Sequence, residues 1–503
     1  MTEPNDLPRV HDTVVHMLAA AAKENPNAIA LSYEGGDLTY RNYAHSVGVL
    51  AQRLGKLGAR GERIILFMGN SADMAIAMFA VHAAGAQAVP VNPIYTAREL
   101  DYIVSDALPV ATIHDAAATD LIVSLANTGK TISSVGTGFI ITDKENHIPL
   151  QNILPRPDDL ATLQYTGGTT GYPKGVNITH RQMSVNISQR EAILPTRYDA
   201  ETVACVMPLF HVFAVSMCLH LTAYCGGRLV ILPRYHPKTL TRSLETEKIT
   251  ILPAGPTIFA GLLNYDGFAS TNLDCLVWCY SGSAPLPEET LRRWENTTGC
   301  FILEGYGQTE AGPILTYNPA HGEKKPGSVG IPLHKTEVQI VDLIAGTKIQ
   351  PAGKTGEIRA RGPQTMAGYR NLAEETEQTL RDGWLYTGDI GAFDSEGYLY
   401  IRDRKTDMVI VGGYNVFPRE IDEILYTHPA VMEAASIGIP DPYYGEIIKA
   451  WVTLKPKKTA SEQELKEHCS KNLAKYKVPE SIILCEEIPK TTIGKIDKNA
   501  LRS

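Results

Sequence analysis

The chain has 503 residues, of which 44% are apolar and 20% charged, and its formal net charge is −8. This composition is typical of a soluble globular enzyme, and the length exceeds what one compact core usually holds, so at least two domains are expected. The modest negative charge argues against a nucleic-acid-binding protein, whose surface would be rich in Lys and Arg.

The sequence carries no obvious targeting or disulfide signal. Residues 1–9 are polar, and the uncharged run 74–97 contains His82, Gly85 and Pro90, which favours a buried helix and strand over a membrane span. Cys275 and Cys279 lie in an apolar, strand-like run and are expected to be buried free thiols. We predict a cytoplasmic protein that binds no nucleic acid and has no integral membrane segment. Peripheral membrane contact and homodimer formation are left open.

Short apolar runs alternate with amphipathic helical patterns from about residue 60 onward. The predicted strands are 63–67, 87–91, 109–113, 160–165, 176–178, 203–207, 228–232, 249–252, 275–280 and 301–303. The predicted helices are 72–84, 211–224, 239–247 and 287–294, and another helix begins at a capping box, Thr179–Gln182. This alternation predicts βαβ units in mainly parallel sheets, whose ligand loops gather at the carboxyl ends of the strands.

The alternation of strand and helix patterns ends at about residue 325. Beyond it, Pro and Gly separate short predicted strands at 356–361, 384–387 and 397–401. A dense charge cluster, 401–407, then marks a domain boundary. We therefore predict an α/β fold with an N-terminal domain, 1–403, of βαβ-layered sheets plus a β-rich subdomain. A small α+β C-terminal domain, 404–503, contains helices at 418–426 and 461–473.

The strongest local motif is the glycine–threonine loop, Tyr165-Thr-Gly-Gly-Thr-Thr-Gly-Tyr-Pro-Lys-Gly175. Glycines let backbone N–H groups close around phosphate oxygens, and Thr hydroxyls and a Lys add donors and charge. It is not a Walker loop, because Pro precedes the Lys and a strand follows. A flexible surface loop is the alternative. The candidate phosphate-binding residues are Thr166, Gly167, Gly168, Thr169, Thr170 and Lys174.

This loop resembles the signature of the adenylate-forming superfamily, which includes acyl-CoA synthetases, adenylation domains of peptide synthetases, and luciferases. Further segments resemble that superfamily in order along the chain: 208–213, 281–285, 304–310, 386–389 and 489–495. The resemblance implies that ATP activates a carboxylic acid as an acyl-adenylate with release of pyrophosphate. The acyl group then passes to coenzyme A, and AMP is released.

The resemblance also implies roles for individual residues. Tyr306 would stack on adenine, Thr309 would contact the phosphates, Glu310 would bind Mg²⁺, and Asp389 would hold both ribose hydroxyls. Lys495 would be the catalytic lysine, which aligns the carboxylate with the α-phosphate and stabilises the developing charge. The remaining nucleotide-binding candidates are Gly282, Ser283, Gly305, Gly307 and Arg404.

Lys495 must leave the site before a thiol can reach the acyl carbon, so a mobile C-terminal domain is expected. Thr406 occupies the hinge position, where relatives usually carry Asp or Lys. Gly413 would let the pantetheine arm pass close to the backbone. The candidate coenzyme A residues are Gly412, Gly413, Tyr414, Tyr444, Tyr476 and Lys477.

The acid pocket is expected beside His211, which would line its carboxylate end; a helix-start histidine is the structural alternative. The expected pocket residues are Val212, Phe213, Ser216 and Gly255. The motifs look most like bacterial medium- to long-chain fatty acid–CoA ligases, and segment 212–219 has no Lys or Arg for a second substrate carboxylate. An aryl acid–CoA ligase, a carrier-loading adenylation enzyme and a non-catalytic nucleotide or acyl-CoA sensor are the alternatives.

Overall fold

A computed structural model describes residues 7–134, 138–141, 150, 154–166, 173–491 and 495–502. The strands are β1 Ile29–Tyr33, β2 Gly36–Thr39, β3 Arg63–Phe67, β4 Gln87–Val91, β5 Ala111–Asp115, β6 Lys130–Ser134, β7 Leu160–Thr166, β8 Lys174–Thr179, β9 Thr202–Cys205, β10 Arg228–Ile231, β11 Ile251–Ala254, β12 Trp278–Ser281, β13 Ile302–Gly307, β14 Ile314–Tyr317, β15 Ile331–Pro332, β16 Glu337–Val341, β17 Gly356–Arg361, β18 Gly368–Tyr369, β19 Leu380–Arg381, β20 Trp384–Phe393, β21 Leu399–Arg404, β22 Val409–Val411, β23 Tyr414–Val416, β24 Val431–Asp441, β25 Gly445–Leu454 and β26 Ser481–Leu484.

The helices of the same ranges are α1 Val14–Glu24, α2 Tyr40–Lys56, α3 Ala72–Ala83, α4 Ala97–Ala107, α5 Thr119–Ser124, α6 His180–Ile193, α7 Val212–Ala214, α8 Leu221–Cys225, α9 Pro237–Thr246, α10 Pro256–Leu263, α11 Glu288–Thr298, α12 Ala373–Thr379, α13 Pro418–Tyr426, α14 Glu462–Asn472 and α15 Lys498–Arg502. A π-helical segment, Val215–His220, joins α7 to α8, and these three pieces are called the 212–225 helix below.

Two large sheets form most of the N-terminal part. One has the order β15-β14-β13-β12-β11-β9-β10-β1-β2, and its strands from β13 to β1 run parallel. The other has the order β18-β8-β7-β4-β3-β5-β6, and it is parallel from β7 to β6. Antiparallel strands are confined to the edges of both sheets. The predicted α/β class with mainly parallel sheets is confirmed.

Two smaller sheets follow. An antiparallel sheet, β16-β17-β20-β19 with β21 on β20, forms the predicted β-rich part. The last sheet, β23-β22-β25-β24 with β26 on β25, lies among α13 and α14. Buried apolar residues between Val409 and Ile482 form a cluster separate from the main core. The exposed Thr406 lies in the turn between β21 and β22, where the chain passes from one core to the other.

Helix α3 explains the long uncharged run. Every residue of α3 is buried, and the helix contacts β3 and β4 of one large sheet and β1 of the other. A helix that is apolar on all sides is stable when it is covered on all sides. The prediction of a buried helix followed by a strand is therefore confirmed. No helix in the described ranges is both long and apolar enough to cross a membrane.

Most of the predicted strands and helices are present in the structure, with their ends shifted by a few residues. Strand β3 and helix α13 match the prediction to the residue, and the capping box forms, with Thr179 N–H donating to Gln182 Oε1 at 2.8 Å. The prediction for Cys275 is wrong, because it is exposed and precedes β12. The backbone turns there, with Leu276 N–H donating to Leu273 O at 2.8 Å, so the strand starts only at Trp278.

Candidate active site

The end of strand β13 lies against the β-rich sheet. Tyr306 Oη donates a hydrogen bond to Asp389 Oδ2 at 2.6 Å. Asp389 is buried on β20 and faces Arg404 in the antiparallel register with β21, and its Oδ1 lies 3.6 Å from Arg404 Nε. Three residues expected to hold the nucleotide are therefore contiguous, although they come from three strands.

Burial raises the pKa of Asp389, whereas Arg404, the Tyr306 hydroxyl and Lys495 oppose that shift. A buried carboxylate is stable when nearby cations and donors stabilise its charge. The arrangement supplies an anionic acceptor beside the end of β13, which is what paired hydroxyl groups on a ligand require.

Lys495 is half-buried. Lys490 and Ile496 form an antiparallel bridge, and Lys495 N–H donates to Thr491 Oγ1 at 3.2 Å. Burial and the neighbouring Arg404 lower the pKa of Lys495 to about 8, and Asp389 opposes this shift. Lys495 therefore lies within electrostatic range of the group formed by Tyr306, Asp389 and Arg404.

His211 is also within electrostatic range of Lys495. Burial, and to a smaller extent the charge of Lys495, lower the pKa of His211 to about 3. His211 Nδ1 accepts the N–H of Phe213 at 3.2 Å and so caps the 212–225 helix. The imidazole is neutral at pH 7 and lies within electrostatic range of the Lys495 cation.

Glu310 follows β13 in a short 3-10 turn, beside the buried Thr309. Its Oε1 accepts the Tyr369 hydroxyl at 2.9 Å, and Lys174 Nζ lies 5.2 Å from the centre of the Tyr369 ring. Burial raises the pKa of Glu310. Thr166 and Lys174 are opposite each other in the register of β7 and β8. Tyr369 thus connects the acidic turn to the base of the glycine–threonine loop.

Part of that loop is not described. Gly167, Gly168, Thr169 and Thr170 lie outside the described residues. Sequence reasoning missed Tyr369, which lies on the two-residue strand β18. A single Tyr in so short a strand carries no periodic signal, so only the contact reveals it.

Two glycines at the site are needed for close packing. A Cβ on Gly282 would lie 2.8 Å from Phe213 Cε2, and one on Gly305 would lie 2.3 Å from Tyr317 Cε2. Ser283 has a φ of +70°, and Gly307 ends β13 in an exposed position. The segment expected to contact adenine therefore packs directly on the first turn of the 212–225 helix.

The expected acid-pocket residues separate into two groups. Val212 and Ser216 line an internal cavity, together with Gln164 and Pro313. Phe213 packs on Gly282, and Gly255 caps α10 near Met207, so neither of these two residues borders that cavity. Gln164 was not predicted; its Nε2 donates to Phe210 O at 3.2 Å and fixes the chain just before His211.

The expected coenzyme A residues form a second, exposed group, which we call the tyrosine cluster (Gly412, Gly413, Tyr414, Tyr444, Tyr476 and Lys477). Gly412 N–H donates to Tyr444 O at 2.8 Å, and the rings of Tyr414 and Tyr476 stack at 4.6 Å. Lys477 Nζ pairs with Glu420 Oε2 at 2.6 Å. Within the described residues, no hydrogen bond or ion pair joins this cluster to Lys495 or Asp389.

The described ranges contain no group of three or more His, Cys, Asp and Glu side chains at metal-binding spacing. Glu310 is a carboxylate connected to Lys174 through the ring and hydroxyl of Tyr369. A single carboxylate suits Mg²⁺, which usually keeps several waters and takes its other ligands from substrate phosphates. The residues present are therefore compatible with Mg²⁺ delivered together with a nucleotide.

Comparison with known proteins gives a consistent result. The family model described as AMP-binding enzyme matches residues 18–370, and that of the AMP-binding enzyme C-terminal domain matches residues 420–495. The chain is 36% identical to the long-chain-fatty-acid–CoA ligase of Bacillus subtilis, across 99% of this chain and 95% of that protein.

Solved structures agree over the whole length. The anthranilate CoA ligase AuaEII in complex with anthranoyl-AMP superposes with a TM-score of 0.89 at 29% identity, covering 100% of this chain and 98% of that one. ATP-bound MatB from Rhodopseudomonas palustris superposes with a TM-score of 0.88 at 29% identity, covering 97% and 98%.

Proposed function

Because the chain belongs to the AMP-binding enzyme family, we propose that it is an ATP-dependent acid–CoA ligase whose substrate is a fatty acid. The observation that carries the proposal is the convergence of Lys495, Asp389, Arg404 and His211 from distant parts of the chain. Acyl-adenylate formation needs a cation near the carboxylate and the α-phosphate, and Lys495 is within electrostatic range of both Asp389 and His211.

In this proposal the nucleotide lies against the end of β13. Tyr306 presents its ring to the adenine, while its hydroxyl holds Asp389 at 2.6 Å. Asp389 accepts the hydrogen bonds of the ribose hydroxyls, and the exposed Arg404 reaches the ribose or the phosphates from the start of the C-terminal domain. Thr166, Lys174 and Thr309 then contact the phosphates.

Lys495 acts on the reacting atoms. A carboxylate oxygen of the acid attacks the α-phosphorus, the bond from that phosphorus to the bridging oxygen breaks, and pyrophosphate leaves. Negative charge builds on the non-bridging oxygens, and a cation in contact with both reactants aligns them and lowers the barrier. The neutral His211 borders the carboxylate without adding a second cation to the site.

We propose that Glu310 holds Mg²⁺, with the Tyr369 hydroxyl fixing its carboxylate. When bound, the ion would neutralise the charge of the departing pyrophosphate. The requirement for Mg²⁺ rests on the chemistry of Glu310 and on the family.

Thioester formation is proposed to need a second position of the C-terminal domain, which rotates about the turn that contains Thr406. The thiol of coenzyme A loses its proton and attacks the acyl carbon, and AMP leaves. Lys495 must first withdraw, and the tyrosine cluster is then brought to the site. The separate buried cluster between Val409 and Ile482 supports a domain that can move as one body.

The fatty-acid assignment rests on two observations. The similar protein of Bacillus subtilis is named for long-chain fatty acids, and the cavity beside His211 is mainly apolar and has no Lys or Arg among its lining residues. A buried second carboxylate would lack a partner there. Aryl acids are a second candidate because AuaEII, an anthranilate CoA ligase, has the same fold. We also propose a cytoplasmic location, where ATP and coenzyme A are available.

The test is a pyrophosphate-release screen over short, medium, long and aromatic acids, with and without coenzyme A. We expect release that depends on acid and ATP, and acyl-CoA and AMP formation when coenzyme A is present. Release without acyl transfer to coenzyme A would favour a carrier-loading enzyme. No release with any acid would exclude the catalytic proposal and favour a nucleotide or acyl-CoA sensor.

A further inference from the structure

An internal cavity extends beside the 212–225 helix, next to His211. Apolar side chains from α3, β8 and α6 line part of its wall, namely Met78, Ile178, Met183 and Ile187. Such a wall suits an alkyl chain.

Three residues of the 212–225 helix line the cavity at successive positions along the helix. Val212, Ser216 and His220 are each four positions apart, which places them on one face. Val212 adjoins His211, and Ser216 and His220 follow farther along the 212–225 helix. The His220 ring packs against Phe79 and the buried His82, at centroid distances of 5.6 and 6.0 Å. Of the three, His220 is therefore the residue farthest along the helix from His211, and it lies among buried rings.

The polar groups of the cavity are not equally satisfied. Thr162 Oγ1 contacts Met183 Sδ at 3.7 Å, and Gln164 Nε2 donates to Phe210 O. Ser216 is 4% exposed and His220 is 1% exposed, yet Ser216 Oγ and His220 Nε2 have no hydrogen-bond partner among the described residues. Two unpaired polar atoms thus line the same apolar cavity.

A plain alkyl chain would leave both atoms unpaired. Burial of a hydrogen-bonding group without a partner costs the desolvation of that group. A hydroxyl or carbonyl on the chain would supply the missing partner, because a Ser hydroxyl both donates and accepts and a neutral imidazole nitrogen does one or the other. An added carboxylate would find no cation among the lining residues.

Resting on the proposed acid–CoA ligase function, we propose that the preferred acid carries an uncharged oxygen substituent, hydroxyl or oxo, on the distal part of an apolar chain. Ser216 and His220 would recognise that substituent. Sites built to hydrogen-bond a substrate group discriminate strongly against analogues that lack it, whereas apolar pockets discriminate weakly between apolar guests. The inference therefore concerns specificity rather than the chemical step.

The test compares kcat/KM for pyrophosphate release within matched sets of acids. Each set contains a straight-chain acid of medium length, its hydroxy and oxo derivatives at the last two carbons, and a methyl-branched acid of similar shape. We expect at least one oxygenated acid to exceed both the straight-chain and the branched acid by about 10-fold or more. An equal or higher kcat/KM for the straight-chain acid in every set would overturn the proposal.

Two variants assign the preference to the named residues. Ser216→Ala and His220→Leu should each reduce the ratio of oxygenated to straight-chain kcat/KM by about 10-fold. The control His114→Leu replaces a buried histidine outside the cavity and should leave the ratio unchanged. A ratio within one variant is insensitive to partial loss of folded protein, and Ser216→Ala is the milder change. Unchanged ratios in both cavity variants would contradict the assignment.

The outcomes separate this inference from the function on which it rests. Absence of pyrophosphate release with all acids would remove the proposed function. Robust release with plain acids, without a preference for oxygenated ones, would leave the ligase function in place and remove the substrate inference alone.

Discussion

The Tyr306 hydroxyl and the Asp389 carboxylate are joined by a 2.6 Å hydrogen bond that spans two sheets. Tyr306 ends β13 of the nine-stranded sheet, and Asp389 lies in the middle of β20 of the β-rich sheet. The bond therefore fixes the ring expected to meet adenine relative to the carboxylate expected to hold the ribose.

Tyr306→Phe should weaken ATP binding while keeping the aromatic ring. Loss of a hydrogen bond to a charged group costs about 1.5–3 kcal/mol, so KM for ATP should rise by roughly 10- to 150-fold. The measurement is the initial rate of pyrophosphate release against ATP concentration at saturating acid. Tyr398→Phe, which removes a hydroxyl bonded to Glu323 O at 2.8 Å, is the control and should leave KM for ATP unchanged. An unaltered KM in Tyr306→Phe would show that the bond does not position Asp389 for ATP.

The strands and helices could be predicted because burial imposes periodicity locally. Strand β3 and helix α13 are examples, since each pattern is complete within its own segment. Contacts such as Tyr369 with Glu310 and Gln164 with Phe210 could not be predicted in this way. These contacts depend on how distant segments pack, and neither Tyr369 nor Gln164 stands out in its local sequence.

The candidate site residues were found through motif resemblance, which transfers long-range contacts from one chain to another. Resemblance does not report local differences. Phe213 was expected in the acid pocket but packs on Gly282 instead of bordering the cavity. Lys477 was expected to meet phosphates, and its ion pair with Glu420 is invisible in the sequence because 57 positions separate the two residues.

Lys495→Ala should affect the two half-reactions differently. The rate of acyl-adenylate formation should fall by roughly 10²–10³, as for other preorganised groups that stabilise charge in a transition state. Thioester formation from a supplied acyl-adenylate should change little, because Lys495 is proposed to have left the site. Both rates are measured with the same preparation. Lys471→Ala, on the exposed face of α14, is the control. Equal loss in both half-reactions would contradict the assigned role.

The pKa of Lys495 predicts a pH profile. Its pKa is lowered to about 8, and the charged form is required, so kcat/KM for adenylate formation should be constant below that pH and fall as the pH rises through about 8. His211, with a pKa of about 3, should contribute no step between pH 5 and 8.

Arg404→Gln provides the matched test of that assignment. Removal of this neighbouring positive charge should move the basic limb to higher pH, since Arg404 is one of the two causes that lower the pKa of Lys495. The measured quantity is the pH at which kcat/KM falls. A lower overall rate in the variant does not change that pH. A limb at the same pH in both proteins would assign it to another group.

Glu310→Gln should raise the Mg²⁺ concentration needed for pyrophosphate release by about 10- to 100-fold, since a neutral amide is a poorer ligand than a carboxylate. Tyr369→Phe, which only releases the Glu310 carboxylate, should give a smaller shift in the same direction. Chelation of divalent cations should abolish the wild-type reaction. Glu337→Gln, in the exposed pair with Arg361, is the control. The same Mg²⁺ dependence in Glu310→Gln and the wild type would contradict the proposed metal ligand.

Gly413→Leu should impair thioester formation and spare adenylate formation. Gly413 has a φ of +87° and open space around the position of a Cβ, so a Cβ would meet no atom there, and a longer side chain would occupy the proposed path of the pantetheine arm. The positive φ adds backbone strain of about 1–3 kcal/mol, which could also weaken the domain.

Gly397→Leu is the matched control, because Gly397 has a φ of +84°, equally open surroundings and a position in the β20–β21 turn. The two half-reactions are assayed separately in both variants. If both variants lose the two half-reactions equally, strain alone explains the effect; selective loss of thioester formation in Gly413→Leu supports the path.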